Sequence, residues 1–201
     1  MLDKVVQQAL RPFMTRAARG LVRLGVGADA ISFTGFAIGM AAAGAIATGH
    51  FRTGLALLLA SRLLDGLDGA VARVTQPTDR GGFLDITLDF LFYAAIPLAF
   101  AVADPATNAL PAAVLLASFI GTGSSFLAFA IVAEKRRLHS LAFPDKSFFF
   151  LGGLTEATET IAAFAAMCLW PQWFPQMAYG FAALCAITTA LRIGWGYTRF
   201  R

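Results

Sequence analysis

The sequence predicts an all-α polytopic membrane protein, with six transmembrane helices preceded by an N-terminal amphipathic helix at the interface. Three observations predict it. Of 201 residues, 58% are hydrophobic and 14% charged, with a mean hydropathy of +0.68, whereas a soluble domain carries about 25% charged residues. The apolar residues fall into six runs, which nearly exhaust the chain at about 20 residues per span plus loops. The basic residues fall almost entirely into alternate loops. The composition argues against a water-soluble enzyme, a disordered chain and a basic nucleic-acid-binding domain. The net charge of +4 is read as basic cytoplasmic loops, with no nucleic-acid partner.

Residues 1–27 lack an uninterrupted apolar core with a small-residue cleavage site behind it, so they do not read as a signal peptide. Leu10, Phe13, Ala17, Leu21 and Leu24 recur at helical spacing, with Arg16, Arg19 and Arg23 on another face. Pro12 is tolerated in a first turn, so a helix is expected to begin there. The segment reads as a cytoplasmic amphipathic helix on an anionic membrane surface, the alternative being a solvated basic segment. The six-span domain is 28–201, with spans near 29–49, 53–74, 83–103, 109–133, 149–170 and 175–197. The first has no charge over 31–48. The second is abnormal, holding Arg62, Asp65 and Asp68. The third opens with Asp85 and Asp89. The fourth and sixth are ordinary, and the fifth holds Glu156 and Glu159 near its start.

Fourteen of the sixteen Lys and Arg lie at the N-terminus, in 73–82, in 134–147 or at the C-terminal end, all on one side if six spans alternate. The positive-inside rule then puts both termini in the cytoplasm. Cys168 and Cys185 lie in apolar runs without metal-ligand spacing and read as packing residues.

Charged residues in a span cost about 2.5–3.5 kcal/mol each and usually mark function. Asp65 and Asp68 are three apart and share a helix face, as do Asp85 and Asp89, four apart. Gly69 and Ala72 continue the first face with small residues. Pro77, Gly81 and Gly82 suit a turn between antiparallel helices, which would bring four carboxylates to one point. Four close carboxylates need cations. Mg²⁺ or Mn²⁺ suit an all-oxygen set, and four acids can hold two ions. That balance fits a phosphate-bearing substrate, and Arg73, one turn on, is placed to meet a phosphate. Structural ion pairs are the bland alternative, but only Arg62, Arg73 and Arg80 are near.

Asp65, Asp68, Gly69, Ala72 and Arg73 stand in the order D-x2-D-G-x2-A-R. After a gap of seven residues, Gly81, Asp85 and Asp89 stand as G-x3-D-x3-D. This resembles the signature of the CDP-alcohol phosphotransferase (CDP-alcohol phosphatidyltransferase) family, with every fixed position present, and the chain is similar to small bacterial inner-membrane members. The resemblance implies the six-helix fold with its surface helix, localisation in the inner membrane, and cleavage of a CDP-linked donor with release of CMP. It implies Asp65, Asp68 and Asp85 as metal ligands and Asp89 as ligand or general base. Gly69 and Ala72 would admit the nucleotide, Arg73 would contact donor phosphate, and Gly81 would belong to the nucleotide-side turn. The expected activity is a phosphatidyltransferase of phospholipid synthesis, moving the phosphatidyl group of CDP-diacylglycerol to a hydroxyl acceptor. The alternatives are a soluble CDP-alcohol donor with a diacylglycerol acceptor, and a divalent-cation transporter. Intramembrane prenyltransferases also use Asp-rich sites, but with more spans and an N/D-D-x-x-D pattern. Family members are often homodimers, and nothing in the sequence itself requires one. The acceptor is not legible.

Many relatives carry Pro-Asn before the first span; Asp29 stands here instead of Asn, read as a helix cap in preference to a nucleotide contact. Glu134, Lys135, Arg136, Arg137, Asp145 and Lys146 form the largest cytoplasmic loop, read as a headgroup anchor or, more sharply, as a phosphate site using Arg136 and Lys146. Glu156 and Glu159 sit on one helix face looking into the acceptor pocket, or else the stretch before them is an interfacial loop. Arg62 pairs with one of the acids or snorkels. His50 and His139 read as surface residues. The run 148–150 and Trp170, Trp173 and Trp195 read as interface aromatics.

Overall fold

A computed structural model describes residues 2–136 and 155–200, with side chains from residue 11 onward. Among the described residues all regular structure is helical. The order is α1 (Leu2–Arg23), α2 (Ala28–Ala47), α3 (Phe51–Val74), α4 (Asp79–Ala103), α5 (Pro105–Lys135), α6 (Ala157–Leu169), a 3-10 turn (Pro171–Trp173) and α7 (Phe174–Arg199). The readings made for Arg137, His139, Asp145, Lys146 and the run 148–150 lie outside the described residues, as does the start of the fifth span.

Apolar runs set these helices and polar residues end them. Thr78 begins α4 by accepting a hydrogen bond from the Gly81 backbone N–H at 3.0 Å, and Asp104 begins α5 by accepting one from Thr107. Both satisfy orphan donors of a first turn. Three local expectations are corrected. Gly81 and Gly82 are not in the α3–α4 turn, because the Thr78 cap draws them into the first turn of α4. The helix expected to begin at Pro12 begins at Leu2 and runs through it. Asp29 is not the cap of α2: Gly27 holds that position, and Asp29 lies in the first turn, paired with Arg80 at 2.6 Å.

Among the described residues, four segments are long and apolar enough to cross a membrane: α2, α4, α5 and 171–199. At 1.5 Å per residue α5 is about 46 Å long, longer than the ~30 Å hydrocarbon core. Leu110 and Ile120 on α5 are 67% and 71% exposed. A water-facing surface rarely carries so much apolar area; hydrocarbon accepts it.

The interior is aromatic. Phe100 stacks between Phe51 and Phe174, with centroids 5.6 and 4.5 Å away. Phe164 of α6 meets Phe92 of α4 and Phe119 of α5 edge-on. Such pairs contribute about 0.5–1.5 kcal/mol each beyond their burial. Cys168 and Cys185 are buried in this core as free thiols. A second cluster joins α1 to α3: Ala18 packs with Ile31, Ala70 and Val71, flanked by Met14, Leu21 and Val22. Phe13 of α1 and Leu24 just beyond its end remain exposed, while Leu21 of the same apolar stripe packs against this cluster.

Glycine sets the closest approach. A Cβ on Gly39 of α2 would lie 2.8 Å from Phe92 and 2.9 Å from Ser61 Oγ. Only glycine lets α2 close on α3 and α4 there, beneath the cluster of acids.

Candidate active site

The turn 75–78 links α3 to α4, and α2 packs against both, so that the polar ends of α3 and α4 meet beside it. One carboxylate oxygen each from Asp65, Asp85 and Asp89 lies within 4.8 Å of the others. Asp68 is outside this triad. It is 6% exposed, and one oxygen, Oδ2, accepts a hydrogen bond from Ser32 Oγ at 2.5 Å. It lines a small cavity together with Asp65, Asp85, Arg62 and Ser32. Asp65 and Asp85 belong to both groups, so the four acids form one continuous patch. The oxygen-only donor set and its spacing fit a hard divalent cation.

Among the described residues, Arg62 is the cation that lies between these acids. Its Nη1 donates to Asp89 Oδ1 at 2.6 Å and lies 3.4 Å from Asp65 Oδ1. It therefore pairs with the acids and does not snorkel. Its Nη2 donates to Ser61 Oγ at 3.2 Å, and its guanidinium carbon sits 3.9 Å above the Phe92 ring centroid. Ser61 donates its one proton to the Gly35 carbonyl at 2.7 Å, which leaves a lone pair for Arg62.

Arg73 lies back along its own helix, its Nη1 3.2 Å from where a Gly69 Cβ would be. It also opens onto a groove of about 420 Å³ between α1 and α3, shared with Arg11, Thr15 and Arg19. Ala72 is half-buried on α3, one turn after Asp68, and Gly81 lies in the first turn of α4, one turn before Asp85.

The acceptor candidates among the described residues lie at the end of α5 and the start of α6. Arg136 ends α5, donating to the Phe200 carbonyl at 2.5 Å. Glu156 occupies the cap position of α6 with extended dihedrals, while Glu159 is in the first turn. The two are thus three residues apart at the start of α6, both half-buried. Arg192, counted above with the C-terminal basic residues, is instead 9% exposed within α7. It donates to the Thr122 carbonyl at 2.7 Å and to Ser125 Oγ at 3.1 Å.

Sequence reading missed Ser32, Ser61 and the site in α7. Ser32 and Ser61 carry no spacing signal, since their partners lie on other helices. Arg192 had one available signal: it interrupts an apolar span.

The family described as CDP-alcohol phosphatidyltransferase matches residues 26–192. The chain is 49% identical over 197 residues to inner membrane protein YnjF of Escherichia coli (strain K12), covering 98% of this chain and 96% of that protein. It is 53% identical over 70 residues to archaetidylinositol phosphate synthase of Methanothermobacter thermautotrophicus, covering 34% of this chain and 36% of that one. In fold it matches the phosphatidylinositol phosphate synthase of Mycobacterium tuberculosis, solved with CDP-DAG bound. That likeness has a TM-score of 0.72 at 22% identity, over 90% of this chain and 92% of that one. The same synthase in complex with manganese and citrate matches with a TM-score of 0.72 over 92% and 89%. The chain belongs to the CDP-alcohol phosphatidyltransferase family. It is a CDP-alcohol phosphotransferase.

Proposed function

We propose that this enzyme transfers the phosphatidyl group of CDP-diacylglycerol to the hydroxyl of an alcohol acceptor, releasing CMP, in phospholipid synthesis. The observation that carries the reading is the meeting of Asp65, Asp85 and Asp89 within 4.8 Å, with Asp68 on the adjoining cavity. Asp65, Asp68 and Asp85 would hold divalent metal, Mg²⁺ or Mn²⁺, in up to two places. Bound there, the metal supplies charge neutralisation for the diphosphate and for the leaving CMP. Asp89 serves as ligand or base: the acceptor oxygen bonds to the phosphorus that stays on the lipid, the bond to CMP breaks, and the hydroxyl proton passes to the carboxylate. Gly69, Ala72 and Gly81 leave the nucleotide room, and Arg73 meets its phosphates.

The membrane placement follows from the same residues. α3 and the segment containing α6 join the four apolar segments as spans, six in all, with both termini cytoplasmic and the acids near the cytoplasmic face. α1 lies on that face, presenting Arg16, Arg19 and Arg23 to anionic lipid. The relative from E. coli is an inner membrane protein, which supports that location. Arg136, Lys146, Glu156 and Glu159 are the candidates for the acceptor side, with a homodimer as the assembly.

The test is to incubate purified protein with CDP-diacylglycerol, Mg²⁺ or Mn²⁺ and a pool of alcohols, following CMP and new lipids by mass spectrometry. CMP appearing with a new lipid, abolished by chelation and restored by metal, is the expected result. CMP absent with every acceptor, the protein being folded, overturns the donor assignment. A CDP-alcohol with diacylglycerol is then the next pair to assay, and metal flux into proteoliposomes after it.

A further inference from the structure

Arg62 sits where a charge is hardest to keep. It is near the middle of α3, about 17 Å from either end at 1.5 Å per residue, and its side chain is 8% exposed. A long basic side chain in a membrane normally reaches for the interface. This one is fixed inward. Phe92 lies under its face at 3.9 Å, Ser61 holds Nη2, and Nη1 lies on the edge between Asp65 and Asp89. Its Nε has no hydrogen-bond partner, so charge holds it there rather than a complete set of hydrogen bonds. Asp65 and Asp89 are also two of the three residues whose oxygens converge. The guanidinium and a metal ion therefore draw on the same carboxylates.

We propose that Arg62 is a resident cation of the metal centre: it withdraws Asp89 Oδ1, so that the protein alone holds one divalent ion tightly and takes a second only with the donor's diphosphate. This rests on the metal-dependent reading above. The charges show why. Among the described residues, four carboxylates and one guanidinium are net negative by three. One divalent ion leaves a single negative charge, and a second makes the centre positive until a diphosphate enters. Without Arg62 the same two ions would leave the centre neutral. Asp89 keeps its other oxygen for an ion or for the acceptor proton, and its orientation is set by a side chain that is itself immobilised. Arg62 is thus a positioning residue, acting through Asp89.

Mn²⁺ binding to the purified full chain without donor, followed by the electron paramagnetic resonance of free Mn²⁺, tests this. Wild type should bind one ion, with a second at least tenfold weaker that tightens on adding CDP-diacylglycerol. Arg62→Met should bind two ions of affinity within threefold of each other without donor, and Arg62→Lys, which keeps the charge, should resemble wild type. A second ion as weak in Arg62→Met as in wild type overturns the proposal and leaves the metal reading standing. No Mn²⁺ bound by wild type removes both. If Arg62→Met does not fold, Asp89→Asn decides: the tight ion should hold its affinity within threefold, and a tenfold loss would place Asp89 among its ligands and overturn the proposal.

Discussion

Ser32→Ala removes one oxygen atom and tests whether Asp68 is oriented from α2. Ser32 Oγ donates to Asp68 Oδ2 at 2.5 Å, and Asp68 is 6% exposed, so water is a poor replacement. A hydrogen bond to a charged group is worth about 1.5–3 kcal/mol, and the variant should lose stability of that order. With Asp68 as a metal ligand, as proposed above, the effect on metal would have two opposing parts. The freed oxygen is a stronger ligand, which favours a cation. The side chain also loses its fixed rotamer, which disfavours one. Removing a partner that orients a metal ligand typically costs about 10- to 100-fold in metal affinity or activity, so orientation should win. The assay is CMP release against Mn²⁺ concentration, with thermal melting in detergent alongside. The half-saturating Mn²⁺ concentration should rise about 10- to 100-fold. Thr34→Ala is the control: Thr34 is exposed on the same helix and bonds only back to the Ala30 carbonyl at 2.7 Å. Half-saturation unchanged within twofold and an unchanged melting temperature in Ser32→Ala would refute the reasoning.

Asp89→Asn should lower CMP release by at least about 10²-fold, the lower range for a general base, while detergent-solubilised protein still melts cooperatively; a normal turnover rate would remove the base role. Gly39→Ala should cost about 1–3 kcal/mol through overpacking, since its Cβ would press on Phe92 and Ser61 Oγ at 2.8 and 2.9 Å, and thermal melting reads this directly. Arg80→Ala should change stability by less than about 1 kcal/mol, because the Arg80 side chain is 77% exposed; a larger fall in melting temperature would show that the Asp29 pair fixes the start of α4.

The sequence made the helices and the acids legible for the same reason: both are local. Apolar runs located α2, α3, α4, α5 and α7 to within about four residues. Spacings of three and four placed Asp65 with Asp68 and Asp85 with Asp89 before any contact was known. What was lost is held by partners far apart in sequence or by caps. The Thr78 hydroxyl moved the start of α4 back across two glycines, a decision made by one hydrogen bond and invisible to hydropathy. Asp29 found Arg80 across 51 positions instead of capping its own helix. Arg62 showed its i, i+3 relation to Asp65 in the sequence, but not the shorter bond to Asp89 on the next helix. Ser32 lies 36 residues from Asp68 and outside every fixed position of the family pattern.

These long-range contacts explain how a patch of four acids stays ordered inside an apolar bundle. Like charges repel, and a loose helix pair would relieve the repulsion by spreading. Here spreading is opposed from behind. Gly39 lets α2 approach until Ser61 reaches the Gly35 carbonyl. With its proton committed there, Ser61 can only accept from Arg62, which fixes the guanidinium over Phe92. Arg62 then fixes Asp89 across the α3–α4 boundary. Ser32, on the same α2, fixes Asp68. The acids on α3 and α4 are thus aligned by a third helix that contributes no carboxylate to the patch. The order runs from backbone approach to hydroxyl, to guanidinium, to carboxylate. A side chain added at Gly39 should accordingly disturb metal binding as well as stability, although it touches none of the four acids.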